Sequence, residues 1–247
     1  MFVYKRVILI ILFFKKFLNF LFFDNFLKFK KVINKISIIF SIKNKLTLDR
    51  AIFYYEKETL DWINGFEENK IFWDIGSCTC VYSIYAVKKN NIRTFAFEAD
   101  YLNFLLGKEN IKLNKEEKNC SIFNFLIGSK TSLVNLKTNS DFGLSFQPKK
   151  NLSYDNPTLS FRLDDLMNLE GMQFPNYIKI DVERSETDLI KGGKNFFKNK
   201  ILNSIMIEIS KKNFRKINYF FYKNNFVLNK KFAQSNGDAN YLYLRSN

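Results

Sequence analysis

Three acids stand where apolar runs end. Asp74 and Gly76 close KIFWDIG (Lys70–Gly76), Glu98 lies near the end of TFAFEAD (Thr94–Asp100), and Asp181 falls late in YIKIDVE (Tyr177–Glu183). Such placement suits a ligand site, because open α/β sheets bind outside the C-terminal ends of their strands. Asp74 and Gly76 open a loop leading into a helix, where close backbone approach and a helix N-terminus can receive a ligand carboxylate. Glu98 follows Asp74 by 24 residues, near the offset of about 20 at which an acid meets ribose hydroxyls in dinucleotide folds. Two carboxylates gripping a diol suit an adenosine cofactor without a pyrophosphate. A nicotinamide cofactor fits less well, since the fingerprint G-x-G-x-x-G is absent.

Proton chemistry must come from few residue types. The chain contains no histidine, which excludes Ser-His-Asp triads, Cys-His pairs and His-ligated zinc. Cys78 and Cys80 form a C-x-C with one further cysteine, Cys120; this completes no closed metal site, no metal is expected, and the thiols are expected reduced. Asp181 is the first candidate for a general base or acceptor-orienting group and Glu183 the second. Asp181, Glu183 and Glu186 bunch within six residues, as acids that share a site do. Lys179 alternates with Asp181 on one strand face and can pair with an acid. Glu186 has a plainer reading, as a favourable charge at the start of the next helix.

Strand-like and helix-like runs alternate from Leu60 onward, the pattern of a parallel sheet with helices on both faces. KIFWDIG, TFAFEAD, CSIFNFLIG, YIKIDVE and SIMIEIS read as strands, with helices over VYSIYAVKK, YLNFLLGKENIKLN, SETDLIKGGKNFFKN and FRKINYFFYKNN. Two short strands near Val227 and Tyr241–Leu244 finish the chain. Residues 129–162 lack helical period and read as a hairpin-bearing insertion, after which Asp164 is expected to cap a short helix, LDDLMNLE.

The N-terminal part differs in charge. Residues 1–48 hold ten Lys or Arg and a single acid, Asp24, within a chain of net charge +15. They are read as a basic, Phe-rich helical extension, and residues 49–247 as the catalytic domain. The run Val7–Phe14 is followed at once by Lys15 and Lys16, which argues against a cleaved signal peptide and against a spanning helix. Phe22, Phe26, Phe29, Ile33 and Ile36 alternate steps of four and three, lining one face of a predicted helix, with Lys28, Lys31 and Lys35 opposite. That stripe either packs on the domain or lies in an anionic membrane interface. The expected location is the cytoplasm, with peripheral membrane contact as the alternative.

The same residues resemble the FkbM-type methyltransferases. The likeness rests on ETLDWINGFEENKIFWDIGSCTCVYSIYAVKK, FAFEADYLNFLLGKENIKLN, LSFRLDDL and above all YIKIDVERSETDLIKGG, spanning about Thr59 to Arg245. It implies a Rossmann-like class I methyltransferase fold, a mostly parallel seven-stranded sheet whose last strand is antiparallel. It implies S-adenosylmethionine as methyl donor; the strand-end and loop residues Asp74, Gly76, Ser77, Cys78, Glu98 and Asp181 are the ones expected to hold it, and Asp181 and Glu183 the ones expected to be catalytic. The implied reaction is O-methylation of a carbohydrate, glycolipid precursor or metabolite. The acceptor is a small molecule or glycan; nucleic acid is not expected, since N/D-P-P-Y is absent.

Two departures stand out. The family's D-x-G-A-N-x-G reads Asp74-Ile75-Gly76-Ser77-Cys78-Thr79-Cys80 here, and D-V-E-G reads Asp181-Val182-Glu183-Arg184. A glycine lost from a left-handed or close-contact position costs about 1 kcal/mol or more and can obstruct a ligand. The alternative reading is therefore a catalytically inactive binding protein on the methyltransferase fold.

Overall fold

The computed structural model describes residues 27–53, 55–137, 147–148, 157–182, 185–234 and 237–246. It begins with a hairpin, β1 (Lys28–Ile33) and β2 (Ile36–Ser41), paired antiparallel with Ile33 opposite Ile36. This corrects the predicted helix over the Phe stripe. Asn34 and Lys35 both take positive φ, 47° and 69°, the geometry of a two-residue hairpin turn. The flanking residues are β-branched and aromatic, and they alternate. Ile33, Ile38 and Phe40 are buried while Lys28, Lys30 and Val32 face out. The expectation that this region packs on the domain holds for residues 28–41, with strands in place of a helix; Phe22 and Phe26 lie outside the described residues.

Helices α1 (Lys45–Phe53) and α2 (Lys57–Asn64) lead into the repeating part of the chain. There follow β3 (Ile71–Ile75), α3 (Val81–Asn90), β4 (Arg93–Phe97), α4 (Tyr101–Leu113) and β5 (Cys120–Phe123). The third expected strand stops at Phe123. Beyond it, β6 (Leu126–Ile127), β7 (Ser132–Lys137), β8 (Gln147–Pro148) and β9 (Pro157–Phe161) form a separate small sheet in the order β6-β9-β7-β8, the hairpin-bearing insertion. Next come α5 (Leu163–Leu166), β10 (Tyr177–Ile180), α6 (Glu186–Gly192) and a 3₁₀ turn at Phe196–Lys198. β11 (Ser204–Ile209), α7 (Phe214–Lys223), β12 (Phe226–Ala233) and β13 (Ala239–Arg245) complete the order. Asp164 caps a different element from the one expected. Arg162 takes the N-cap place of α5, and Asp164 Oδ1 accepts from the N–H groups of Asn195 and Phe196, at 2.9 and 2.8 Å, where the 3₁₀ turn starts.

The main sheet has seven strands in the order β12-β13-β11-β10-β3-β4-β5. Six run in the same direction, and β13 lies antiparallel between β11 and β12. All four residues of β10 and the last four of β3 are buried, as strands covered on both faces must be. Alternate side chains fall into two cores. Trp73, Ile75, Phe97, Ile178 and Ile180 pack on one face; Phe72, Ala96 and Tyr177 pack on the other, with the hairpin. The hairpin is held to α4 by side-chain amides. Asn110 Oδ1 accepts from Ser41 N–H at 2.8 Å, and Asn114 both accepts from Ile39 N–H and donates to its carbonyl. No helix among the described residues is long and apolar enough to cross a membrane.

Candidate active site

The sheet's order reverses between β3 and β10. From β3 the chain moves outward through β4 and β5, then crosses back to β10, and the gap at that reversal opens a cleft. Its floor is backbone. Gly76 N–H and Ser77 N–H both donate to the Phe97 carbonyl, at 2.9 and 3.1 Å, and Asp181 N–H donates to Ile75 at 2.9 Å. Gly76 has φ +78°, and a Cβ there would lie 1.8 Å from the Asp181 carbonyl oxygen. Glycine is required by both conformation and space.

One half of the cleft is lined by Gly76, Cys78, Phe97, Glu98, Ala99, Phe125 and Leu126, among others. Glu98 is 4% exposed. Its Oε2 accepts from Cys78 N–H at 2.7 Å and its Oε1 from Asp100 N–H at 2.8 Å, which fixes the carboxyl plane. Burial pushes Glu98 up to about 7, against the pull of those two bonds. Asp74 does not line the cleft. It is fully buried behind the loop, and its Oδ2 accepts from Ser83 Oγ of α3 at 2.6 Å, tying the strand end to the helix start. Burial raises its pKa as well.

The other half is lined by Tyr55, Glu56, Ser77, Thr79, Tyr82 and Lys179, and both halves share Arg50, Gly76, Cys78 and Asp181. Lys179 is 1% exposed, and its Nζ donates to Asp181 Oδ2 at 2.7 Å beneath the Tyr82 ring. Burial opposes the Lys179 charge, but Asp181 and Glu56 outweigh it and hold the ammonium above its ordinary pKa. The pairing expected from strand alternation is present.

Carboxylate oxygens of Glu56, Asp181 and Glu208 lie within 4.8 Å of one another. Asn240 Nδ2 donates to Glu56 at 2.7 Å, and Gln234 Nε2 donates to Glu208 at 3.0 Å. Burial, then the neighbouring Asp181 charge, pushes Glu208 up to about 7. Glu56 and Glu208 are thus the acids that Asp181 meets, and neither belongs to a motif. Glu186, expected to bunch with Asp181, is engaged elsewhere: its Oε1 accepts from Ser210 N–H at 2.9 Å. Glu183 and Arg184 lie outside the described residues.

Cys80 stands where the family resemblance calls for glycine, and it keeps glycine's conformation with φ 60°. Its side chain is fully buried and turned from the cleft. The sulfur occupies space that a Cβ on Gly107 of α4 would enter, at 2.9 Å. The expected obstruction of the ligand is therefore absent at this position; the sulfur fills a niche in the helix layer. Burial raises the pKa of all three thiols, which keeps them protonated.

No curated protein sequence matches the chain significantly. Among solved structures, it is similar to precorrin-6y C5,15-methyltransferase from Geobacter metallireducens, at 14% identity and TM-score 0.47 over 90% of this chain and 95% of that one. It is similar also to M. jannaschii TYW2 in complex with AdoMet, at 11% identity and TM-score 0.47 over 91% and 90%. These likenesses are too distant to bear on function, and the fold rests on the strand order itself. The family model for the methyltransferase FkbM domain matches residues 69–228, from the strand that carries Asp74 to the first residues of β12. The chain is a member of the FkbM methyltransferase family, which takes its methyl group from S-adenosylmethionine.

Proposed function

We propose that the chain O-methylates a hydroxyl group on a carbohydrate, glycolipid precursor or metabolite. The reading is carried by three neighbouring carboxylates: Glu56 and Asp181 line the cleft, and Glu208 lies within 4.8 Å of both. Acceptor-only side chains so close together suit a donor-rich ligand such as a polyol. A carboxyl raised to about 7 is matched to taking a proton near neutral pH. Cys80 gives no support to an inactive protein, since its sulfur lies off the cleft.

The donor half fits S-adenosylmethionine. Each Glu98 oxygen accepts one backbone N–H and retains a lone pair for a ribose hydroxyl. Ser77 and Cys78 border the ligand path, Gly76 leaves it open, and Asp74 acts by anchoring the loop. When bound, this cofactor supplies a methyl group on a sulfonium sulfur. The protein's tasks are then to hold the acceptor oxygen in line and to remove its proton. Lys179 pins Asp181, which orients the hydroxyl, and Glu208 takes the proton in its ionised form. Glu183 follows two residues after Asp181 and is a second candidate for this role.

The test is methyl transfer from isotopically labelled donor to a panel of glycans, polyols and RNA. Label in an alkali-stable methyl ether on a glycan or polyol supports the proposal. Label confined to RNA base nitrogens overturns it.

A second reading concerns residues 1–48. Lys28, Lys30 and Lys35 are exposed on the hairpin, continuous with a segment carrying eight phenylalanines and a single acid. We infer peripheral contact with an anionic membrane from the cytoplasmic side. Lys31 takes no part, because its ammonium donates to the Ile52 carbonyl and sits over the Tyr55 ring. Co-sedimentation with anionic vesicles should fall with added salt. It should be lost when Lys28, Lys30 and Lys35 are changed to Glu; binding that survives the change would refute the contact.

A further inference from the structure

We propose that Arg50 recognises the carboxylate of the cofactor's amino-acid end, and so selects a whole S-adenosylmethionine over its nucleoside portion. Arg50 lies on α1, outside the stretch matched by the family model. The inference rests on the cofactor assignment and adds to it a recognition residue that no motif contains.

The cofactor has two chemically distinct ends, a nucleoside and an amino acid. The nucleoside belongs with Glu98 in one half of the cleft, and the methyl group must face the acceptor half. The amino-acid end therefore lies along the wall that the halves share, which is Arg50, Gly76, Cys78 and Asp181. That wall carries one guanidinium and one carboxylate. The guanidinium is complementary to the cofactor's carboxylate, while Asp181 is paired with Lys179. A guanidinium offers a planar fork of donors that matches a carboxylate.

Arg50 is also held in place by the groups that set the ribose site. It is 7% exposed, and its Nη1 donates to Asn103 Oδ1 at 2.9 Å. Asn103 N–H donates in turn to Asp100 Oδ1 at 2.7 Å, and Asp100 N–H to Glu98 at 2.8 Å. One continuous chain of hydrogen bonds thus fixes the distance between the ribose acid and the arginine. Among the described residues lining the cleft, the other cation is Lys179, which lies in the acceptor half on Asp181.

The experiment is titration calorimetry of the full chain with two probes, S-adenosylhomocysteine and 5′-deoxy-5′-methylthioadenosine. The second keeps the nucleoside and sulfur but lacks the amino-acid end. Arg50→Ala should weaken S-adenosylhomocysteine tenfold or more and leave methylthioadenosine within twofold. Arg50→Lys, which keeps charge and bulk but loses the fork, should weaken the first probe at least threefold and spare the second. Equal weakening of both probes in both variants, or no weakening in either, overturns the assignment. A wild-type protein that binds neither probe overturns the cofactor reading, and this inference with it.

Discussion

The donor half of the cleft is made from backbone and short spans of chain. Gly76 and Cys78 are set by N–H bonds to the Phe97 carbonyl and the Glu98 carboxyl, with Ser77 between them lining the other half, and Asp100 closes the turn two residues on. The acceptor half is made from side chains that meet across the fold. Glu56 precedes α2, Asp181 follows β10, Glu208 belongs to β11, and Gln234 and Asn240 come from the β12–β13 end. That contrast marks where change is tolerated. A backbone cradle admits few substitutions, because its donors cannot be moved separately. A cluster of side chains can be rearranged one residue at a time, which is how a fixed fold takes on a different ligand.

The sharpest test of that contrast is Gly76→Ala. The new Cβ would need the space of the Asp181 carbonyl, in a backbone conformation that alanine resists. Stability in urea should fall by about 3 kcal/mol or more. A loss below about 1 kcal/mol would mean that the cradle yields and the contrast is wrong.

Glu208→Gln strikes the acceptor half instead. Folding and cofactor affinity should be preserved while kcat/KM falls by roughly 10²–10⁴. In the wild type, kcat/KM should rise as pH increases through about 7, because Glu208 must be ionised to act and its pKa is raised by burial. The variant should lack that inflection. A profile unchanged by the substitution would move the base to another residue of the cluster.

Glu98→Ala should weaken cofactor binding by about 1–3 kcal/mol, since it strands the Cys78 and Asp100 N–H groups and removes the ribose contact. The ribose hydroxyls favour the ionised form of a carboxyl that stands near 7. Wild-type binding at pH 7 should therefore release protons. Calorimetry in buffers of different ionisation enthalpy measures that release, and its persistence in Glu98→Ala would assign it elsewhere.

Cys80→Gly should have the smallest effect. It relieves a left-handed non-glycine residue but empties the niche beside Gly107, so stability should change by no more than about 1 kcal/mol. Cofactor affinity should stay within twofold, and a larger change would place Cys80 in the donor half.

The same contrast sets what the sequence could disclose. Gly76, Glu98 and Asp181 were legible because their meaning lies in local spacing: each closes a strand, and strand ends converge in any parallel sheet. Glu56 and Glu208 carry no such spacing: Glu208 meets Asp181 through the parallel pairing of β10 with β11, where Ile180 stands opposite Ile207, and Glu56 reaches them from the chain before α2. One signal was available for Glu208, which is the single charged residue in the apolar strand SIMIEIS; a lone charge in a buried strand needs a partner. Arg50 offered no comparable sign. In the hairpin, Phe29, Ile33 and Ile36 satisfy a helical period, yet the turn pair Asn34-Lys35, both at positive φ, decides for strands.

The amides of Asn110 and Asn114 have a consequence for solubility. They occupy hydrogen-bonding positions on β2 that another strand would otherwise take, so α4 acts as a surrogate neighbour for the exposed side of a two-stranded sheet. An uncovered edge flanked by Ile38, Ile39 and Phe40 would be a template for chain-to-chain strand addition. These two asparagines thereby serve as gatekeepers against self-association as well as anchors, and their loss would show first in the tendency of the protein to aggregate.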